Sequence, residues 1–175
     1  TIVKLAVEKI LKKNVLVVGA GIKTGLNIRI DNPAQLGSDL VVDSVAAIVE
    51  YPAPLLIFDL GTANTVCVID KNKNYIGGMI YPGIGVSLDS LTAHASQLGG
   101  ISIEAPEHMI GKNTTECMKS GLIYSSAAAM DGIIDRLQEQ LGGEATVIAT
   151  GGLAKKIVPH CRREIILDDD LLLKG

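Results

Sequence analysis

At 175 residues and 18.4 kDa, with 47% hydrophobic and 20% charged residues, the chain has the composition of one folded domain with a sizeable core, which excludes a disordered polypeptide. A formal net charge of −3, with one Phe, four Tyr, no Trp and no Lys/Arg-rich cluster, argues against a nucleic-acid surface, which needs basic stripes and stacking aromatics. No apolar run approaches a membrane span and nothing at the start reads as a signal peptide, so the expectation is a cytoplasmic protein with no membrane partner.

Cys67, Cys117 and Cys161 are odd in number and far apart, and His94, His108 and His160 are equally scattered. Free thiols and no zinc site are the expectation. The chain opens on amphipathic TIVKLAVEKILKK without an initiator Met and closes on LLLKG, which reads as part of a longer protein.

Ile2, Leu5, Ala6, Ile10 and Leu11 recur at helical spacing, with lysines largely on the other face. Asn14 ends that helix, and Val15 to Val18 reads as a short buried strand closed by the Gly19-Ala20-Gly21 turn. Asn32-Pro33 signals a turn, and Gly37-Ser38-Asp39 precedes a helix carrying Leu40, Val41, Val45, Ala46 and Val49. Asp39 stands where an N-cap carboxylate belongs; capping alone accounts for it, and in a cleft it could also accept a proton from a substrate hydroxyl.

The central stretch is LLIFDLGTANTVCV, residues 55–68. Apolar runs on both sides of a Gly-containing turn predict two antiparallel strands. Gly61 lets a ligand approach the main chain, the Thr62 and Thr65 hydroxyls suit phosphate oxygens, and Asp59 could hold a cation or a magnesium-bound phosphate. A polar hairpin tip that only satisfies its own backbone is the competing reading.

Tyr75 to Tyr81 reads as a third strand with paired glycines, and a helix follows from about Ser87 to Ser96. Leu98 to Glu107 is Gly- and Pro-punctuated and reads as extended. The block Ile110 to Glu116 introduces the longest helix, to about Leu141, capped by Asn113 or Thr114; a substrate-facing helix N-terminus is the functional alternative to plain capping. Gly142-Gly143 ends it, Ala145 to Ala149 is a strand, and Thr150-Gly151-Gly152 lets the next helix (Leu153 to about Val158) start close to a ligand. Glu164 to Leu167 reads as a last strand, with Asp168-Asp169-Asp170 capping a final helix.

Three consecutive strands, a helix, then alternating helix and strand resemble a ribonuclease-H-like, actin-type ATPase domain, an α/β fold with a mixed sheet flanked by helices and, on this expectation, its N-terminal half mostly absent. The blocks GIKTGLNIRIDNP, GSD, DLGTANT, GGMIYPGIGVSLDSL, IGKNTTECMKSG and VIATGGLA, in this order, resemble the type III pantothenate kinases. The resemblance implies ATP-dependent phosphorylation of pantothenate, the first step toward coenzyme A, with Mg2+, a monovalent cation (K+ or NH4+) and a homodimer whose pantothenate pocket is completed at the subunit interface. It implies that Asp39 accepts the pantothenate hydroxyl proton and that Gly37, Ser38, Leu40 and Thr114 lie at the pantothenate site. Asp59 would bind the monovalent cation, Thr62 an ATP phosphate, and Gly151 and Gly152 the adenosine. Residues 1–50 would be a remnant of a first domain and its linking helix, and 51–175 the second domain.

Leu40 stands where the family motif has Arg, and Ile30 where many members have Tyr. Losing one charge-assisted hydrogen bond costs about 1.5–3 kcal/mol, roughly ten- to a hundredfold in affinity. The family's first phosphate loop, Asp-x-Gly-Asn-Thr, does not occur in the 175 residues, so the chain alone is expected to be inactive or nearly so. The alternative is a non-catalytic relative acting as a binding or regulatory accessory protein.

Overall fold

The computed structural model describes residues 2–18, 22–95 and 98–175. Helices are α1 (Ile2–Leu11), α2 (Ser38–Glu50), α3 (Ile84–His94), α4 (Thr114–Leu141), α5 (Ala154–Ile157) and α6 (Leu171–Lys174); strands are β1 (Asn27–Ile28), β2 (Leu55–Leu60), β3 (Ala63–Ile69), β4 (Asn74–Pro82), β5 (Thr146–Thr150) and β6 (Ile166–Leu167). They build one six-stranded sheet in the order β1-β4-β3-β2-β5-β6. The β2-β3-β4 meander is antiparallel, whereas β5 and β6 join in parallel after helical crossovers, and β1 pairs in parallel with β4. This is the expected mixed sheet with flanking helices.

The alternation of β2 divides the core. Leu56, Phe58 and Leu60 face one layer with Ile123, Ala127, Met130 and Ile134 of α4 and with Ala154 and Ile157 of α5. Leu55 and Ile57 face the other, with Ala46 and Ala47 of α2 and Leu171 of α6. Because both faces are covered, β2 is buried along nearly its whole length, which is why it reads as an unbroken apolar run. Asp59 continues the Leu55, Ile57 series and so emerges on the α2 side.

α2 ends at Glu50, a few residues before β2 begins at Leu55, and therefore runs back along the sheet antiparallel to that strand. Its N-terminus is thereby delivered to the C-terminal end of β2. Tyr51 Oη donates to Asp168 Oδ2 at 2.8 Å, and Lys174 Nζ donates to the same oxygen at 2.7 Å and to Glu50 Oε2 at 2.8 Å. These bonds tie the end of α2 to α6.

α4 is closed at both ends by local chemistry. Asn113 Oδ1 accepts from the Glu116 N–H at 3.0 Å, and Glu116 Oε2 accepts from the Lys112 N–H at 2.9 Å. At the other end Gly142 takes a left-handed conformation, and the N–H groups of Gly142 and Gly143 return to the Glu139 and Gln138 carbonyls. Asn113→Ala is expected to cost about 1 kcal/mol, the usual loss for an N-cap, as read in a urea melt.

Several expectations need correction. Val15 to Val18 form no strand: Leu16 is 78% exposed and Val17 52%, because no neighbouring strand among the described residues takes up their backbone groups. The Gly19-Ala20-Gly21 turn lies outside the described residues. α1 forms as predicted, yet none of its residues is buried. Leu98 to Glu107 carries no helix or strand, with bends at Ile103, Glu104 and Glu107. α3 begins three residues earlier than expected, directly after Gly83. The last strand shrinks to two residues, since β6 meets β5 only at Ile148–Ala149.

Candidate active site

The end of the sheet where β2 and β5 both terminate gathers most of the polar residues singled out above. Asp59 pairs in register with Thr150 across the parallel ladder, so the Thr150-Gly151-Gly152 turn leaves the sheet beside the carboxylate. The carboxyl ends of parallel strands are where open α/β sheets place ligands, because the chain must diverge there into helices on either face. Gly151 has φ +92°, and a Cβ on it would meet Asp59 Oδ1 and lie 2.6 Å from Leu60 N. Only glycine permits this approach. The Leu153 N–H then donates to the Leu60 carbonyl at 3.1 Å and fixes the turn onto the end of β2.

A cavity of about 390 Å³ opens at this point, lined by Asp43, Asp59, Thr150, Gly151, Gly152 and Lys155, with Asp169 and Leu172 from the α6 side. Asp43 was not anticipated. It lies on α2 one turn after Asp39, at i+4, so both project from the same helical face. Asp43 is 2% exposed, and its Oδ1 has no hydrogen-bond partner among the described residues. Burial, together with the charges of Asp59, Asp39 and Asp168, pushes its carboxyl up to about 7. Burial, and secondarily Asp39, also raises the Asp59 carboxyl. Lys155, the cation lining the cavity, is mostly exposed and is paired with Asp169.

Asp39 sits not at the N-cap but at the second position of α2; Gly37 is the cap, and no side chain bonds the free amides there. The small cap leaves room for the Asp39 carboxylate to lie back against Gly37. Gly37, Ser38 and Asp39 are exposed, at the end of α2 whose dipole favours anions. Leu40 is half-buried and packs on the α2-side core, so no cation is offered from that position.

The hairpin joining β2 and β3 spans only Gly61-Thr62. Its tip is braced by Gly83, whose N–H donates to the Thr62 carbonyl at 3.0 Å and which has no room for a Cβ between Gly61 and Thr62. The Thr62 side chain is left exposed. Behind the tip, Asn64 Oδ1 and Thr65 Oγ1 are buried without partners among the described residues. Thr114 is not among the residues that line the cavity: it is exposed at the start of α4, the helix covering the opposite face of the sheet. Thus Asp59, Gly151 and Gly152 share one cavity, Asp39 adds its charge from the start of α2, and Thr62 and Thr114 lie apart.

Among the described residues no group of three or more His, Cys, Asp or Glu side chains is set to hold a metal ion, and no helix is long and apolar enough to cross a membrane.

A family model described as Type III pantothenate kinase matches residues 1–136. A curated relative, the type III pantothenate kinase of Bacillus cytotoxicus, is 46% identical over 168 residues, which cover 96% of this chain and 64% of the relative. The chain therefore spans less than two thirds of the relative's length. Among solved structures, a protein from Campylobacter jejuni described as a Baf family transcriptional activator aligns with a TM-score of 0.56 at 21% identity, covering 87% of this chain and 66% of that one. The ethanolamine utilization protein EutJ from Carboxydothermus hydrogenoformans aligns with a TM-score of 0.52 at 15% identity, covering 98% and 67%. At these identities the two structures speak to the fold alone, and they agree with the actin-type α/β arrangement.

Proposed function

The chain belongs to the type III pantothenate kinase family, and from that membership we propose that it carries the acceptor-side base and the second phosphate loop of an enzyme that transfers phosphate from ATP to the pantothenate hydroxyl. The observation that carries this reading is the convergence of Asp59, the Thr-Gly-Gly turn and the start of α2 at one end of the sheet. On this reading Asp39 accepts a hydrogen bond from the pantothenate hydroxyl and orients it for in-line attack, in a reaction governed by positioning and electrostatics. Gly37 and Ser38 line the same substrate. Thr62 presents its hydroxyl and amide to an ATP phosphate at the hairpin tip. Gly151 and Gly152 leave the space beside them free of side chains for the adenosine.

Carboxylate oxygens beside a cavity suit a hard cation, and the unpartnered Asp43 Oδ1 shows that coordination capacity is unspent here. A potassium or ammonium ion at Asp59, and magnesium with the nucleotide, would offset the charge of the phosphates when bound. Thr114, remote from the Asp59 cavity, fits a pantothenate pocket completed by a second copy in a homodimer, each copy supplying what the other lacks. Residues 1–50 would then belong with the first domain and its linking helix and 51–175 with the second, in a cytoplasmic enzyme.

One observation favours a second reading, a non-catalytic relative that binds without turnover: Leu40 is turned into the core where the family has Arg. A coupled ADP-release assay separates the two when run on the protein extended to the length of its relatives. The expected result is pantothenate-dependent ADP formation by the extended protein and little by the 175-residue chain, which lacks the Asp-x-Gly-Asn-Thr loop. Ligand binding by calorimetry without turnover would establish the accessory reading instead. Turnover by the 175 residues alone would overturn the division of the ATP clamp.

A further inference from the structure

We propose that Asp169, on the α6 side of the cavity, reads the ribose of the bound nucleotide by accepting hydrogen bonds from its 2′ and 3′ hydroxyls. The inference deepens the ATP-site reading above and rests on it for the nucleotide itself.

Three acids in a row, Asp168-Asp169-Asp170, precede α6, and helix capping does not account for them. Asp170 holds the cap position but makes no side-chain bond to the helix. Asp168 is buried and fully engaged, accepting from Tyr51, Lys174 and the Asp170 N–H. Asp169 has a different setting. Its side chain is 41% exposed, lines the cavity together with the Thr150-Gly151-Gly152 turn, and meets the Lys155 ammonium through Oδ2. An exposed ion pair of this kind adds little to stability, so the fold does not explain why a carboxylate stands there. The same cavity is lined by Asp43, whose buried Oδ1 has no partner among the described residues, a further sign that the space takes a polar ligand.

The chemistry of the lining selects the part of the nucleotide. An ionised carboxylate only accepts hydrogen bonds, so it repels phosphate oxygens and attracts hydroxyl donors. Lys155 balances its charge, which leaves this side of the cavity close to neutral and suited to an uncharged group. A carboxylate has about four acceptor positions, and Lys155 draws on Oδ2, so capacity remains for a second pair of donors. The ribose of a nucleotide presents two adjacent hydroxyls, and a carboxylate is the usual partner of a ribose hydroxyl in dinucleotide-binding folds. The base is provided for separately. Leu172, 48% exposed, gives the cavity an apolar side chain, and a Cβ built on Gly152 meets no heavy atom within 4 Å. A base resting between these residues brings its ribose beside Asp169.

The test is calorimetric titration of ADP, 2′-deoxy-ADP and 3′-deoxy-ADP, with Mg2+ present, into the protein extended to the length of its relatives. Each deoxy nucleotide is expected to bind at least about tenfold more weakly than ADP, the loss of one charge-assisted hydrogen bond. This comparison uses the unmutated protein and is independent of how well a variant folds. Asp169→Ala should bind ADP about as weakly as the deoxy nucleotides and no longer distinguish the three. A merely structural role would weaken all three alike and keep the preference. Equal binding of the three nucleotides by the unmutated protein, or a preference that survives Asp169→Ala, would overturn the proposal. Absence of binding by all three would overturn it together with the ATP-site reading. A ribose preference without pantothenate-dependent turnover would support it and strike only the kinase reading.

Discussion

Asp39→Asn is expected to lower kcat for pantothenate-dependent ADP release by about 10²–10⁴-fold in the extended protein, leaving the pantothenate KM little changed. The substitution keeps the shape of the side chain and removes its capacity to accept the hydroxyl proton. Its structural consequences are small, since Asp39 is exposed, caps nothing and sits at the second position of α2. Loss of an acid from the first helical turn costs about 0.3–1 kcal/mol, so a thermal melt should barely move while kcat collapses. That contrast separates a catalytic role from a structural one. The variant also has a secondary effect of predictable sign: Asp39 raises both Asp43 and Asp59, so its neutralisation should let both carboxyls ionise at lower pH. A kcat within about tenfold of the unmutated protein would place the base elsewhere on this face.

The parts of this site that were legible in the sequence are those carried by local patterns. The β2-β3 hairpin follows from two apolar runs around a glycine turn, and the Thr-Gly-Gly turn from its position between a strand and a helix. Asn113 was readable as a cap because its partner lies three residues on. What was missed depends on distant residues. β1 is two residues long, too short for any periodicity, and is held by Asn27 bonding Asn74 across 47 positions. Val15 to Val18 show the converse, an apolar run that needs a strand partner and has none among the described residues. Asp43 is not legible from local pattern, because it lies inside a helix whose apolar spacing is explained without it, and its burial comes from β2 and α6. One signal was available: Asp39 and Asp43 are spaced i, i+4, and two acids on the inward side of a core helix are not explained by solvation.

The turn that closes the cavity supplies the largest expected effect on stability. Gly151→Ala is expected to cost about 3–5 kcal/mol, from two separate sources. The backbone at φ +92° is unfavourable for any L side chain, worth about 1–2 kcal/mol. The added methyl would also lie 2.6 Å from Leu60 N, 2.7 Å from Leu60 O and against Asp59 Oδ1. The first two are main-chain atoms of a buried strand and cannot step aside without moving β2. Relief must then come from displacing the Thr150-Gly151 turn, which breaks the Leu153 to Leu60 hydrogen bond, or from turning the Asp59 carboxylate away from the cavity. Either movement disturbs the cavity along with the fold, so the melting temperature should fall by on the order of 10 °C. Gly152→Ala is the matched control: its added methyl meets no heavy atom within 4 Å, so stability should change by less than about 1 kcal/mol. If adenosine lies over Gly152, that methyl should instead raise the KM for ATP with the melt unaltered. Equal destabilisation by the two substitutions would show that the close approach of Gly151 to Leu60 and Asp59 is not what holds the turn in place.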